Sequence, residues 1–402
     1  MNQSSVCYYF FILGSHPAIS VAEILAYFKT NKFDFSVLAA GYDYLIINTK
    51  NQIESNILDF IGGSIKFGKI EKIFQKFPSV EEIYNILPAA DKIFFGLSLY
   101  PVKVKNKPIK NIFRIGLDLK KYLKEKNRTA RLVTSKQENL SAVVVVKNKL
   151  LSDNGAEIVI INQQQNYFLG KTLDVQPFVE LSKRDYGRPQ RDDRSGMLPP
   201  KLAQIMLNLS QTDKYELILD PFCGSGTVLQ EALWQKRTNL IGSDISDKAI
   251  SDTRKNLTWL GQEYNLPVNN IKLVKTNVVN LPKFIKPNSV SAVVTEPDLG
   301  RADLKPSNQL AEEARLKNLY IQSYEVFYNL LKPKGLVVMI WPVFFNTKYL
   351  DIEKTVENIG YKKIIPLSKD LLNNYQLNKR NNLQYARSGQ KVAREITIWQ
   401  KV

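Results

Sequence analysis

Apolar and polar positions follow two different patterns along this chain, and the change falls near residue 200. From Leu217 onward, short apolar runs alternate with helical stretches, which predicts strands near Ile218, Ile241, Leu273, Val293 and Val338 with helices between them. Strand and helix in that alternation give a parallel, doubly wound sheet. Val290 to Thr295 is apolar apart from Ser291 and Thr295, which predicts a buried central strand. The runs Lys362 to Leu367 and Glu395 to Gln400 predict a closing antiparallel pair.

Upstream the runs are shorter and mixed. A strand over Val6 to Leu13 leads through Gly14 and Pro17 into a helix, whose start is predicted at a capping box, Ser20-Val21-Ala22-Glu23. Phe35 to Ala40 and Tyr44 to Asn48 flank Gly41 and Tyr42 as a hairpin. Helices are predicted around Val80 to Leu87 and Ile112 to Lys126, separated by a strand over Lys92 to Leu99. Arg131 to Thr134, Ala142 to Val146 and Ile158 to Ile161 then alternate short strands with helix or turn elements. Ser182 to Arg194, rich in charge and proline, is predicted to be a polar connector. Pro199 and Pro200 beyond it open a helix with Leu202, Ile205, Met206 and Leu209 on one face. The domains expected are an α+β module over 1–78, a second α+β domain over 79–180, and the α/β domain over 181–402.

Chemistry concentrates in Leu217 to Thr227. The apolar run there ends in Asp220, a loop holding Gly224 and Gly226 follows, and a helix begins at Thr227. Glycines admit a ligand close to the backbone, and the helix start favours electron-rich groups. The dinucleotide fingerprint wants a third glycine where Leu229 stands, and a P-loop wants a lysine that is missing, so a phosphate ligand fits poorly. Asp220 suits instead the ammonium group of an amino acid. The next apolar run ends in Asp244, placed to take two ribose hydroxyls. An amino-acid end plus a ribose describes S-adenosylmethionine; the competing reading is a plain strand-helix turn.

Two cysteines and one histidine, His16, exclude a zinc cluster or a disulfide framework, and no metal is expected. The absence of a long apolar span predicts no membrane segment and a cytoplasmic location. The formal charge of +18 changes the picture more. Lys103, Lys105, Lys107, Lys110, Arg114, Lys120, Lys121, Lys124, Lys126, Arg128 and Arg131 face only Asp118 and Glu125 within that span, a density suited to nucleic-acid phosphates. A lysine-rich composition on a solvated face is the alternative.

At the carboxyl end of the Val290 strand stands TEPDLG. Amino-methylating enzymes place an acid or amide, two prolines and an aromatic at such a position. Here Glu296 supplies the acceptor and Pro297 the rigid turn, while Asp298 replaces the second proline and Leu299 the aromatic.

The loop DPFCGSG, Asp244, SGMLPPKLAQIMLNLS, RDYGRPQRDDRSG and the ending from Ala386 to Glu395 together resemble the THUMP-domain tRNA guanine-N2 methyltransferases. The resemblance is strongest from Asp185 to Ser246 and implies a Rossmann-like, seven-stranded methyltransferase domain preceded by a ferredoxin-like and THUMP region that binds tRNA. It places the cofactor at Asp220, Phe222, Gly224, Gly226 and Asp244, with Asn277 near the adenine amine, and the chemistry at Glu296, Pro297 and Asp298. The family usually writes that last motif DPPY, and the departure falls on the catalytic position. The expected activity is methyl transfer to a guanine N2 in tRNA, with a small activating subunit left open. The alternatives are a DNA adenine or cytosine amino methyltransferase and a tRNA-binding protein that has lost catalysis.

Overall fold

The structure is a computed structural model that describes residues 6–100, 111–191, 197–300, 309–345, 347–387, 389–390 and 392–402. Its contacts divide the chain into two compact units, the first made of Met1–Pro17, Phe33–Asp59 and Ser64–Pro177, the second of Ala18–Lys32, Phe60–Gly63 and Phe178–Val402.

In chain order the first half forms β1 (Cys7–Leu13), α1 (Pro17–Thr30), β2 (Phe35–Gly41), β3 (Tyr44–Thr49), β4 (Ser64–Phe74), α2 (Val80–Tyr84), β5 (Lys92–Tyr100), α3 (Ile112–Glu125), β6 (Thr129–Val133), α4 (Ala142–Lys147), β7 (Gly155–Gln163) and β8 (Asn166–Val175). Its eight strands make one sheet in the order β2-β3-β1-β4-β8-β7-β5-β6. The strands from before and after residue 79 meet where β4 pairs antiparallel with β8. A charged network lies buried in this sheet. Lys66 donates to Glu157 and to the Leu140 carbonyl, while Ser98 and Thr172 each donate to Glu157 at 2.6 Å. α4 is a helix despite four consecutive valines. The Ser141 side chain accepts from the Val144 N–H, and Val145 alone of the four is fully buried, so a cap and a helical burial pattern override strand propensity.

Two expectations fail here. α1 starts at Pro17, not Ser20, so Ser20 and Glu23 cap nothing. The capping box belongs to α2, where Ser79 and Glu82 bond reciprocally. Secondly, Ser182 to Tyr186 is no connector but part of α5 (Phe178–Tyr186). Arg184 turns inward, 1% exposed, pairs with both carboxylate oxygens of Glu231 and stacks on Trp234. Its charge, read as solvent-facing, has a buried partner 47 residues away.

The second unit continues with α6 (Pro200–Leu209), β9 (Ile218–Asp220), α7 (Thr227–Trp234), β10 (Leu240–Asp244), α8 (Asp247–Tyr264), β11 (Ile271–Lys275), β12 (Val290–Thr295), α9 (Gln309–Leu330), β13 (Leu331–Phe344), β14 (Lys348–Tyr349), α10 (Glu353–Ile359), β15 (Tyr361–Lys363), α11 (Lys369–Leu372), β16 (Leu383–Tyr385) and β17 (Val392–Lys401). Seven strands run in the order β11-β10-β9-β12-β13-β17-β15, with β14 and β16 as short additions. β9 to β13 are parallel, and β17 returns antiparallel between β13 and β15. This is an α/β fold with a methyltransferase-like sheet. β12 sits at its centre, buried at all six residues, Ser291 and Thr295 included. Between β9 and β12 the strand order reverses, the point where such sheets bind ligands at their carboxyl ends. Trp341 and Trp399 stack face to face, 6.0 Å apart, in the core beneath.

Candidate active site

The carboxyl ends of β9, β10, β11 and β12 open on one cleft of about 960 Å³. Asp220, Phe222, Gly224, Asp244, Asn277, Glu296, Pro297 and Asp298 all line it, so the second unit's sequence candidates converge, apart from Gly226 behind the loop.

Backbone geometry explains the two glycines differently. Gly226, at φ 86°, caps α7 in the left-handed region, and a Cβ there would meet Thr253 at 2.9 Å. Gly224, at φ 52°, has open space beside it, so only conformation favours glycine. The loop is pinned from α8: Thr253 Oγ1 donates to the Gly224 carbonyl at 2.8 Å, and Asn256 Nδ2 to that of Ser225 at 2.8 Å. Arg188 reaches Thr227 Oγ1 at 2.7 Å from the other side. The loop is held before any ligand arrives.

Asp244 ties strand to loop. Its Oδ2 accepts from the Gly224 N–H at 3.1 Å and its Oδ1 from the Ser246 N–H at 2.9 Å, which fixes the carboxylate and leaves each oxygen a second lone pair. Asp220 is 2% exposed. Burial pushes its carboxyl up to about 7, against hydrogen bonds from Thr295 Oγ1 at 2.6 Å and the Phe222 N–H at 3.2 Å that favour the charge. Among the described residues both bonds fall on Oδ1, leaving Oδ2 for a cation. Asn277 follows β11, exposed, with Oδ1 accepting from the Val279 N–H at 3.2 Å.

The TEPDLG segment is held by two arginines that the sequence reading missed. Arg394 on β17 grips Glu296 with both ends of its fork, Nε to Oε2 at 2.6 Å and the other donor to Oε1 at 3.0 Å. Arg315 on α9 donates to Asp298 Oδ2 at 2.6 Å and to both oxygens of Glu312, at 3.0 and 2.8 Å. The Asp298 carbonyl accepts from buried Tyr320 at 2.9 Å, and Gly300 turns away at φ 91°. Asp298 is therefore a fixed strut. The signal for Arg394 was a pair of adjacent charges, Arg394 and Glu395, inside a strand that is buried at most positions; Arg315 lay unmarked in a polar helix.

Of the basic stretch named above, Arg114, Lys120, Lys121, Lys124, Lys126 and Arg131 are exposed. Arg128 is committed to the fold: it donates to the carbonyls of Ala90 and Pro88 and stacks on Tyr84. Lys103, Lys105, Lys107 and Lys110 lie outside the described residues. Among the described residues there is no cluster suited to a metal and no helix long and apolar enough to cross a membrane.

Comparison with known proteins finds methyltransferases. A family model described as an RMKL-like methyltransferase domain matches residues 188–358, and one described as DNA methylase matches 25–255. The chain is 32% identical over 145 residues, 34% of its length, to a tRNA (guanine(10)-N2)-dimethyltransferase of Methanocaldococcus jannaschii. It is 29% identical over 203 residues, 50% of its length, to the enzyme of that name from Methanothermobacter thermautotrophicus. These matches span 40% and 52% of the relatives' own lengths. In fold it is similar to crystalline TrmN from Thermus thermophilus, with a TM-score of 0.54 at 15% identity over 98% of this chain and all of that one.

Proposed function

We propose, from its likeness to the THUMP-type tRNA guanine-N2 methyltransferases, that the chain transfers a methyl group from S-adenosylmethionine to the exocyclic amine of a guanine in tRNA. The observation that carries this reading is the convergence of Asp220, the glycine loop, Asp244 and Glu296 on one cleft at the switch point of the sheet.

The residues present fit the cofactor. Asp220 would take its ammonium group, Asp244 its ribose hydroxyls, and Asn277 the adenine amine. Bound there, it supplies an electrophilic methyl on a sulfonium. The amine of guanine is a weak nucleophile because its lone pair is drawn into the ring. Glu296 and the Pro297 carbonyl would accept its hydrogens and aim it, and Arg394 keeps the Glu296 carboxylate in one orientation. The exposed lysines of α3 and Arg131 supply phosphate contacts in this reading, with residues 79–180 acting as the THUMP-like part and 1–78 as the module before it.

The DNA methylase match favours a second reading, transfer to an adenine or cytosine amine in DNA. Labelled S-adenosylmethionine incubated with total tRNA and with duplex DNA, followed by nucleoside mass spectrometry, separates the two. N2-methylguanosine from tRNA is the expected product; label in DNA alone would replace this reading with the other. Transfer should fall in the order wild type, Glu296→Gln, Glu296→Ala while cofactor affinity holds. Full activity in Glu296→Ala would remove Glu296 from the chemistry.

A further inference from the structure

Resting on that reading, we infer that the guanidinium plane of Arg315 is the platform on which the target base stacks, in place of the aromatic that TEPDLG lacks. Leu299 occupies the position where amino-methylating enzymes carry a ring, and its side chain has no π-face. Arg315 lines the same cleft with Leu299 and is 48% exposed. Its orientation is fixed to a degree unusual for a half-exposed arginine. Nε and one terminal nitrogen grip the two oxygens of Glu312, and that same terminal nitrogen also reaches Asp298 Oδ2. Glu312 is only 11% exposed and its helix is packed, so the acceptor is itself immobile.

Those hydrogen bonds lie in the guanidinium plane, which leaves its two faces for contact. Arginine planes stack on unpaired bases as aromatic rings do. A phosphate is the other ligand an arginine invites, and here it is disfavoured. Two carboxylates already match the charge, and an incoming phosphate would meet both of them. A flat, uncharged purine meets neither. The acid standing where the family has its second proline thus gains a purpose: Asp298 orients Arg315 and so replaces ring stacking one helix away.

Single-turnover methyl transfer at saturating tRNA tests this, with cofactor affinity as the measure of an intact fold. Arg315→Ala should slow transfer by roughly five- to hundredfold, the range for losing one stacked base. Arg315→Lys, which keeps the charge but not the plane, should be as slow as Ala. Adding Leu299→Tyr to Arg315→Ala should restore most of the rate by supplying the missing ring. If Arg315→Ala loses cofactor binding as well, Arg315→Met keeps the bulk without the plane and carries the same comparison. A lysine variant as fast as wild type, or a double variant no faster than the single one, overturns the stacking role while leaving the proposed reaction standing. A wild type that methylates no nucleic acid overturns both.

Discussion

Asp220 occupies a place that resists its charge. Burial raises its carboxyl to about 7, and the charges of Asp244 and Glu296 add to that rise. Below that pH the group is protonated and offers an ammonium nothing to pair with. Affinity for S-adenosylmethionine should therefore rise with pH through about 7 and level off above it, and Asp220→Asn should bind weakly with no such rise. Titration calorimetry between pH 5.5 and 8.5 makes the measurement; a flat wild-type profile would assign the ammonium to another group. Asp220, Asp244 and the two glycines were legible in the sequence because local chemistry fixes them: strand ends, a left-handed turn and an acid at each edge. Arg394 and Arg315 were not, because their meaning lies in partners 98 and 17 residues away. No spacing rule connects a strand-borne arginine to a glutamate across β13.

At the scale of elements, Ser20 and Glu23 show how a correct local pattern can serve another purpose. Pro17, with its fixed φ, starts α1 one turn early, which leaves both side chains in the helix interior. Glu23 is fully buried and accepts from the N–H groups of Gly62 and Gly63 and from Asn208 Nδ2, at 2.7 to 2.8 Å. Ser20 completes the latch by donating to the Gly63 carbonyl at 2.6 Å. Glu23→Ala would strand the buried Gly62 N–H and take an acceptor from the half-buried Gly63 N–H and from Asn208, whose Nδ2 keeps the Phe60 carbonyl; an unmet buried donor costs roughly 1 to 3 kcal/mol, so a loss of about 2 to 3 kcal/mol is expected in denaturant unfolding. Burial lifts the Glu23 carboxyl from 4.5 to about 7. The unfolded chain releases this proton first, so the latch's contribution is full below about 4.5 and declines as pH rises toward 7. Unfolding free energies of Glu23→Ala should be flatter across that window; equal slopes would show that the latch does not titrate. Helices and strands of the second unit were legible from their periods. The α5 segment was not, because a charged residue paired in the interior reads the same as one facing water.

For the molecule as a whole, part of the charge of +18 stands on the helix α3. Lys120, Lys121 and Lys124 stand exposed on α3, beside exposed Phe113 and Leu117. Reversing the three lysines to glutamate should weaken tRNA binding and make the plot of log affinity against log salt shallower by roughly 2 to 3, near one unit per lost phosphate contact. Filter binding from 50 to 300 mM salt reads the slope, and an unchanged slope would place the footprint elsewhere. The parallel sheet and its ligand edge were visible in the sequence as a whole. The interleaving of the two units was not, since nothing in residues 18–32 announces that they belong with residues beyond 178.

That interleaving sets a timetable for synthesis. α1 carries Ile19, Val21, Ile24 and Phe28, all buried in the finished protein, and its latch partner Asn208 lies 185 residues downstream. At ribosomal speeds of about 5 to 20 residues per second, this apolar helix waits on the order of 10 to 40 seconds before its partner exists. Until then its apolar side chains lack part of the surface that buries them in the finished protein.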